Sequence, residues 1–272
     1  MRLPVLGLTL AATVFAQQQP NTLTSDEKKL GWALLFDGKS TKGWTKAGTD
    51  AWTVENGCLK SLSNPKIRED LLTTATFGDF VLTFEWKVAP GSNSGVKYKI
   101  QDSVLIDAAQ LPNPKMPFEQ QVAYELQHHS ARVDKVKAGS GAQVYPVAFE
   151  YQVIDNQRHP DALHSPLSRA ASLYRMAAAT KDATKPVGEF NQAKIVVRGK
   201  HVEHWLNGVK VVDTDLDTAD VRKHIEERWP AGHPVRELLE KMPKQTTPLA
   251  LQHHNDVAWF RNIKIRRLPP PN

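Results

Sequence analysis

The stretch of sequence that decides the fold is Val81-Leu82-Thr83-Phe84-Glu85-Trp86-Lys87-Val88. Its even-numbered positions are all apolar, and polar side chains stand between them. Successive side chains of a β-strand point to opposite faces, so this alternation is typical of a strand. The segment therefore predicts a strand with one apolar face for a core and one face that carries functional groups.

The same alternation recurs further along the chain. In residues 95–101 and 149–155, one set of apolar positions opposes one set of polar positions; the apolar sets are Val96, Tyr98 and Ile100, and Phe149, Tyr151 and Val153. The polar sets are Lys97, Lys99 and Gln101, and Glu150 and Gln152. Asn207-Gly208 suits a type I′ turn and joins two strand-like runs between His201 and Asp213. Many short strands punctuated by Gly, Asn and Pro predict an all-β sandwich or barrel.

Two stretches interrupt this strand pattern. Residues 118–137 mix apolar and charged side chains, which fits either a helix or a long polar insertion. Residues 217–241 predict one or two helices that are broken at Pro230 and Pro234, because proline disrupts a helix interior.

The beginning of the chain has the pattern of an export signal. Arg2 is followed by an apolar run from Leu3 to Phe15 and by Val14-Phe15-Ala16, which fits cleavage after Ala16. The apolar run is shorter than the ~20 residues that span a bilayer. We therefore expect a signal peptide at 1–16, a polar leader at 17–30, one domain at 31–268, and a periplasmic or secreted location.

Composition excludes several classes of protein. The formal net charge is +6, but the basic residues form no dense run with interleaved aromatics, so nucleic-acid binding is not expected. No later segment is apolar enough for a membrane span. Cys58 is the single cysteine, so no internal disulfide can form, and we interpret it as a small packed residue.

An ordered set of short motifs resembles a known family. The motifs are Leu35-Phe-Asp-Gly-Lys39, Gly43-Trp44, Trp52-Thr-Val-Glu-Asn-Gly57, Gly78-Asp-Phe80, Phe84-Glu-Trp86, Asn93-Ser-Gly95, Glu150-Tyr-Gln-Val-Ile-Asp155, His159-Pro-Asp-Ala162, Ser172-Leu-Tyr174, Gly188-Glu-Phe-Asn191, Glu203-His-Trp-Leu-Asn-Gly208, Leu251-Gln252 and Phe260-Arg-Asn-Ile263. In order and spacing they resemble the 3-keto-disaccharide hydrolase domain family.

This resemblance implies a fold and a substrate class. The implied fold is a concanavalin-like jelly-roll β-sandwich of two curved antiparallel sheets with short helical insertions. The implied substrates are glycosides oxidised to a ketone at C3 of the sugar. The sequence departs from the family pattern at Gln252-His253-His254-Asn255, where an acidic residue, His and Gly are expected, and in an insertion around Val104 to Val147.

The predicted strands constrain the chemistry. Ordinary glycosidases use two carboxylates that flank the scissile bond. Residues 149–155 offer only Glu150 on the polar face, so direct hydrolysis would need Glu85 from another strand as the second carboxylate. A 3-keto sugar needs only one base, because the ketone acidifies the hydrogen on C2 and the C1 substituent can leave by β-elimination.

Ten residues are the candidates for this chemistry. The expected catalytic residues are Glu150, His159, Asp161 and Lys97. The expected substrate-binding residues are Glu85, Gln152, Tyr174, Trp205, Gln252 and His254. Each also has a plainer interpretation: a solvent-facing strand, a helix or turn cap, a solvated lysine, or a packed ring.

Cofactors and the overall activity are less constrained by the sequence. The chain has no spaced His/Cys metal signature, so no cofactor is certain, although a divalent metal ion could stabilise an enolate oxygen. The leading hypothesis is an enzyme that cleaves 3-keto-glycosides. The alternative is a non-catalytic carbohydrate-binding module, because the same fold serves both purposes.

Overall fold

The computed structural model describes residues 19–45, 50–66, 69–106, 116–117, 119–121, 123–124 and 143–269. The expected signal peptide at 1–16 lies outside these residues, as does most of the insertion between Val104 and Val147. In the described part of the chain, no helix is long and apolar enough to cross a membrane.

The fold consists of two antiparallel sheets, as the sequence predicts. The larger sheet has eight strands: β1 (Trp32–Leu34), β3 (Trp52–Glu55), β4 (Cys58–Ser61), β6 (Phe80–Val88), β9 (Asn191–Arg198), β10 (His201–Leu206), β11 (Val209–Asp215) and β13 (Ala258–Arg267). Its order is β11-β10-β9-β6-β13-β4-β3, with β1 also paired to β13. The smaller sheet has five strands in the order β2-β5-β12-β7-β8: β2 (Trp44–Thr45), β5 (Leu71–Thr73), β7 (Asn93–Ile106), β8 (Gln143–Ile154) and β12 (Ala250–Leu251). All pairings in both sheets are antiparallel.

The core lies between the two sheets, where the alternating strands place it. Phe84 of β6 is 2% exposed, and its ring centroid lies 5.4 Å from that of Tyr151 on β8. Thr83, Glu85 and Lys87 alternate with the core residues and are only half-buried. The predicted register of residues 81–88 is therefore confirmed, and the polar face of β6 points away from the core.

The predicted hairpin is also present. β10 and β11 pair directly up to Leu206 and Val209, and Asn207-Gly208 forms the turn between them. The φ angles of Asn207 and Gly208 are 49° and 83°. Both central residues thus have the positive φ that a type I′ turn requires.

Four α-helices lie wholly within the described residues, and residues 119–121 and 123–124 are also helical. The four are α1 (Ser25–Lys29), α2 (Pro160–His164), α3 (Ala219–Arg228) and α4 (Pro234–Lys241). The predicted break at Pro230 and Pro234 is confirmed, because α3 ends before Pro230 and Pro234 opens α4. Helix α4 packs on β7 and β8 and so covers part of the smaller sheet.

The described part of the polar leader is attached to the larger sheet. Asn21 and Asn262 exchange hydrogen bonds between their backbone N–H groups and side-chain oxygens, at 2.5 and 2.8 Å. Helix α1 starts with a capping box at Thr24 and Glu27. Glu27 Oε1 then accepts a hydrogen bond from Lys264 Nζ at 2.7 Å. Residues 19–30 therefore pack against the sandwich.

Candidate active site

Glu150 lies on the outer face of the smaller sheet. Its neighbours along β8, Phe149 and Tyr151, are fully buried in the core, so alternation turns Glu150 away from the core. The side chain is nevertheless secluded, because the residue is only 4% exposed. In the antiparallel register, Glu150 stands opposite Lys97 of β7. A carboxylate and an ammonium group thus share one secluded face.

Two amide side chains flank the Glu150 carboxylate. Gln252 Nε2 donates to Glu150 Oε2 at 3.3 Å. The amide of Gln152 lies 3.3 Å from Glu150 Oε1, and in the orientation that satisfies its hydrogen bonds it donates to that oxygen. Strand β12 ends next to β7, and Gln252 N donates to Gly95 O at 2.9 Å, which places Gln252 beside the carboxylate. Gln152 and Gln252, both predicted to bind substrate, therefore lie on either side of the Glu150 carboxylate.

The surroundings of Glu150 make its carboxylate a base near neutral pH. Desolvation by burial is the main cause that raises the pKa of Glu150 to about 7, and the negative charge of Asp70 adds to it. The positive charge of Lys97 opposes this rise but does not overcome it. A general base is most effective when its pKa lies near the working pH, and this carboxyl meets that condition.

Lys97 is held as a permanent cation by a carboxylate that the sequence analysis missed. Lys97 Nζ donates to Asp70 Oδ2 at 2.8 Å, and both side chains are 2–3% exposed. Burial disfavours the charged form of Lys97, but Asp70 outweighs it and raises the pKa of the ammonium above its usual range. Asp70 is itself fixed, because its Oδ1 accepts from His253 N at 2.9 Å. Lys97 therefore supplies positive charge beside Glu150 but does not exchange a proton at neutral pH.

His159, Asp161 and Tyr174 form a connected group at the edge strand. His159 caps α2, and its Nδ1 accepts from Asp161 N at 3.1 Å. The Asp161 carboxylate accepts from Tyr174 Oη at 2.8 Å and from the Arg175 guanidinium at 2.5 Å. Tyr174 N donates to Glu150 O at 2.9 Å, which ties this group to β8. Asp161 is thus engaged with a cation and a hydroxyl, and it holds Tyr174 in position next to Glu150.

His254 is a candidate proton donor in this site. Its imidazole is about half-exposed, lies 3.6 Å from Asp256 Oδ2, and makes an edge contact with His159 at 6.0 Å between ring centroids. Desolvation opposes its charged form, but the nearby carboxylate of Asp256, together with the charge of Glu150, raises the pKa of His254. Burial, together with the neighbouring His254, lowers the pKa of His159. His254 is therefore the better proton donor of the two histidines.

One cluster near this site has ligand types that suit a divalent metal. The candidate ligand atoms of His159, His254 and Asp256 lie within 4.8 Å of one another. Two histidines and a carboxylate with an open position are a set that catalytic zinc uses. However, Nδ1 of His159 accepts the cap hydrogen bond, so the neutral ring carries its proton on Nε2. Metal binding through Nε2 of His159 would require the other tautomer and would break the hydrogen bond that caps α2. The three residues therefore have the right ligand types for a metal, but their present side-chain arrangement does not fit one.

The structure places Glu85 and Trp205 away from Glu150, on the larger sheet. Glu85 lies on the polar face of β6 in the larger sheet, where its Oε2 accepts from Arg261 Nε at 2.7 Å. Trp205 also belongs to the larger sheet, where Lys194 Nζ lies 3.5 Å from its ring centroid. Both residues line a cleft of about 480 Å³ there. Because Glu85 and Glu150 each point away from the shared core, they lie on opposite outer faces of the sandwich.

One buried polar atom beside Glu150 has no partner. Gln252 is 8% exposed, and its Oε1 accepts no hydrogen bond from any described residue. Buried acceptors are normally satisfied, and an unsatisfied one is a site where a ligand hydroxyl can donate. The face between Lys97, Glu150 and Gln252 thus combines a base, a fixed positive charge and a free acceptor.

The fold is an antiparallel β-sandwich, and this face holds a buried carboxylate of the kind that general base catalysis uses. The chain belongs to the family of 3-keto-alpha-glucoside-1,2-lyase-like domains, whose sequence model matches residues 31–266. A 3-keto-disaccharide hydrolase of Bacteroides thetaiotaomicron is 32% identical over 260 residues, which cover 88% of this chain and 79% of that protein.

Solved structures agree with the fold. A candidate glycosyl hydrolase from Parabacteroides distasonis superposes with a TM-score of 0.66 at 24% identity, covering 92% of this chain and all of the other. A second candidate glycosyl hydrolase from the same organism gives a TM-score of 0.57 at 22% identity, covering 87% of this chain and 99% of the other.

Proposed function

We propose that this chain cleaves 3-keto-glycosides and that Glu150 begins the reaction by removing the proton on C2. The observation that carries this proposal is one secluded carboxylate, with its pKa raised to about 7, that lies between two amides and opposite a permanent cation. The nearby carboxylates of Asp70 and Asp161 are each paired with a cation. The site thus offers one free base.

The proposed reaction proceeds in two stages. The Glu150 carboxylate takes the C2 proton, and the electrons of that C–H bond pass into an enolate with the C3 oxygen. The enolate then forms the C1–C2 double bond and expels the C1 substituent, which takes a proton from His254. Water then adds to C1 and gives its proton to His254, while protonated Glu150 gives a proton to C2, so the net products are the 3-keto sugar and the released alcohol.

The neighbours of Glu150 suit the charge that develops during this reaction. The Lys97 ammonium lies opposite Glu150 and stabilises negative charge on the reacting sugar through its positive field. Gln252 Oε1 is free to accept a sugar hydroxyl, and Gln152 and Gln252 fix the carboxylate. Tyr174 is held by Asp161 and lies beside the same strand, where we propose that it contacts the substrate.

The geometry disfavours direct hydrolysis by the pair of Glu150 and Glu85. That mechanism needs two carboxyl groups on either side of one glycosidic bond, about 5–10 Å apart. Glu85, the partner that the sequence suggests for Glu150, lies on the opposite outer face and forms an ion pair with Arg261. The name of the Bacteroides relative and the family to which the chain belongs support an oxidised sugar as substrate.

Deuterium at C2 of a 3-keto-disaccharide tests the mechanism. Purified protein should cleave the oxidised disaccharide, leave the unoxidised one nearly untouched, and release the C2 label to solvent during turnover. Full retention of C2 deuterium in the product, together with a cleavage rate that the label does not slow, would contradict proton removal at C2.

The alternative, a non-catalytic carbohydrate-binding module, is favoured by one feature. The cleft on the larger sheet presents the half-buried ring of Trp205 together with polar side chains, and aromatic rings commonly stack on sugars. Binding of the oxidised disaccharide without any turnover, and its loss in Trp205→Ala, would select this alternative over catalysis by Glu150.

We also propose that the protein is exported to the periplasm or beyond. Arg2, the apolar run and Val14-Phe15-Ala16 support this location. Mass spectrometry of the protein from the periplasm or medium should find an N-terminus at Gln17, and an intact Met1 in the cytoplasmic fraction would contradict export.

A further inference from the structure

Gly95 lies inside strand β7, where a glycine lowers the stability of the fold. A glycine in a strand interior adds no packing and loses more conformational entropy on folding than other residues. Most glycines in the described residues have a positive φ, but Gly95 and Gly78 do not. The backbone at Gly95 would therefore accept any L-residue, and the reason for the glycine must come from its surroundings.

The three atoms that a side chain at Gly95 would meet first all belong to Glu150. A Cβ atom at this position would lie 1.9 Å from Glu150 Oε1, 2.6 Å from Glu150 Cδ and 2.8 Å from Glu150 Cγ. In the β7–β8 register, Gly95 stands opposite Gln152, and Glu150 stands opposite Lys97. The Glu150 side chain thus leans along the strands and lies over the bare Cα of Gly95.

We propose that Gly95 is a positioning residue for the reaction, because its missing side chain leaves the space in which the Glu150 carboxylate meets the amides of Gln152 and Gln252. The catalytic part of this inference rests on the proposed function of Glu150. Any side chain at position 95 would force the carboxylate to retreat by more than an ångström, since ordinary contacts with a Cβ begin near 3.4 Å. The 3.3 Å contacts to Gln152 and Gln252 would then be lost.

The consequence should appear in turnover rather than in substrate binding. A misplacement of about 1 Å at a reacting group can lower a rate by ~10²-fold. Gly95→Ala should therefore lower kcat by ~10²-fold, while KM changes by less than about 3-fold because only the base has moved.

A double-mutant cycle separates positioning from a general loss of structure. The four proteins are the wild type, Gly95→Ala, Glu150→Ala and the double variant. In the Glu150→Ala background the three colliding atoms are gone, so Gly95→Ala should lower neither the residual kcat nor the melting temperature. The double variant should also fold if Gly95→Ala alone does not.

Gly78→Ala provides the matched control. Gly78 also has an ordinary φ, and a Cβ there would make only an ordinary contact, 3.4 Å from Thr246 Oγ1. Its kcat and melting temperature should stay close to those of the wild type.

The outcomes of the cycle decide the proposal. A kcat for Gly95→Ala within about 3-fold of the wild type, or equal losses of kcat and melting temperature in both backgrounds, would overturn it. The melting temperatures need no substrate. If the wild type does not cleave a 3-keto-glycoside, the proposed function fails, while the melting temperatures still decide whether Gly95 positions the side chain of Glu150.

Discussion

Replacement of Glu150 by Gln should change activity and stability in opposite directions. Gln has nearly the same shape as Glu but lacks the basic oxygen and never carries a charge. The new amide can also be accommodated, because Gln252 has an unpartnered Oε1 next to Oε2 of Glu150 and can turn it toward the new N–H group. The variant therefore removes the base without creating a cavity or a forced clash.

The effect on turnover follows from the role of the base. Loss of a positioned general base lowers rates by ~10²–10⁴-fold. In the wild type, kcat/KM should rise as pH increases through about 7, because the pKa of Glu150 is raised to that value. The residual activity of Glu150→Gln should lack this rise.

The effect on stability follows from the same pKa. The pKa of Glu150 is about 7 in the folded chain and 4.5 for an unperturbed carboxyl, so the folded state binds the proton more tightly. The stability that protonated Glu150 contributes is fully present below pH 4.5 and is lost as pH rises through about 7. This shift corresponds to roughly 3 kcal/mol. The difference in unfolding free energy between Glu150→Gln and the wild type should therefore grow in favour of the variant as pH rises. The growth from about pH 4.5 to about pH 8 should be roughly 3 kcal/mol.

Urea unfolding across this pH range, with steady-state kinetics on the oxidised disaccharide, measures both effects. Glu189→Gln is the matched control, because Glu189 is exposed and lies outside the site. Its turnover should stay close to that of the wild type. A Glu150→Gln variant that keeps its turnover, or whose stability difference from the wild type stays constant with pH, would refute the assignment of Glu150 as a secluded base.

Two further predictions address the proton donor and the core. His254→Ala should slow the release of alkyl alcohols more than that of nitrophenolate, which needs no proton on leaving; equal losses of kcat for both would exclude His254 as the acid. Phe84→Ala should lower the unfolding free energy by about 3–5 kcal/mol, because Phe84 packs against Tyr151 and Phe260, and Thr83→Ala should cost much less. Equal denaturation midpoints for the two variants would contradict the register of β6.

The strands could be predicted because the alternation of apolar and polar residues follows the burial of their side chains. Residues 81–88 have one face in the core, so each apolar position in the sequence corresponds to a buried side chain in β6. The turn at Asn207-Gly208 was predictable for a local reason, since few dipeptides accept two positive φ angles. In β7 the pattern is less informative, because Lys97, Lys99 and Gln101 are buried along with the apolar residues.

The composition of the site was only partly predictable, because alternation does not say which sheet a strand joins. Glu150 and Gln152 could be grouped because they alternate on one strand, whereas the position of Lys97 opposite Glu150 follows from the pairing of β7 with β8. Glu85 has the same pattern but belongs to the larger sheet, and nothing in its own strand reveals this. Asp70 precedes the short strand β5 and reaches Lys97 only through the tertiary fold, so no spacing in the sequence could identify it.

Several features that weaken a fold coincide on this face of the smaller sheet. Glu150 is buried with a raised pKa, Gln252 Oε1 lacks a partner, and Gly95 occupies a strand interior without a backbone reason. Glu150→Gln would remove the buried charge and stabilise the chain above neutral pH, and a side chain at position 95 would fit once Glu150 is shortened to Ala. Natural sequences depart from locally consistent choices mainly at functional sites, where activity offsets the cost. These features all involve Glu150, either through its own burial or through direct contact with its side chain. The stability that is lost on this face of the smaller sheet therefore goes with the placement of one carboxylate.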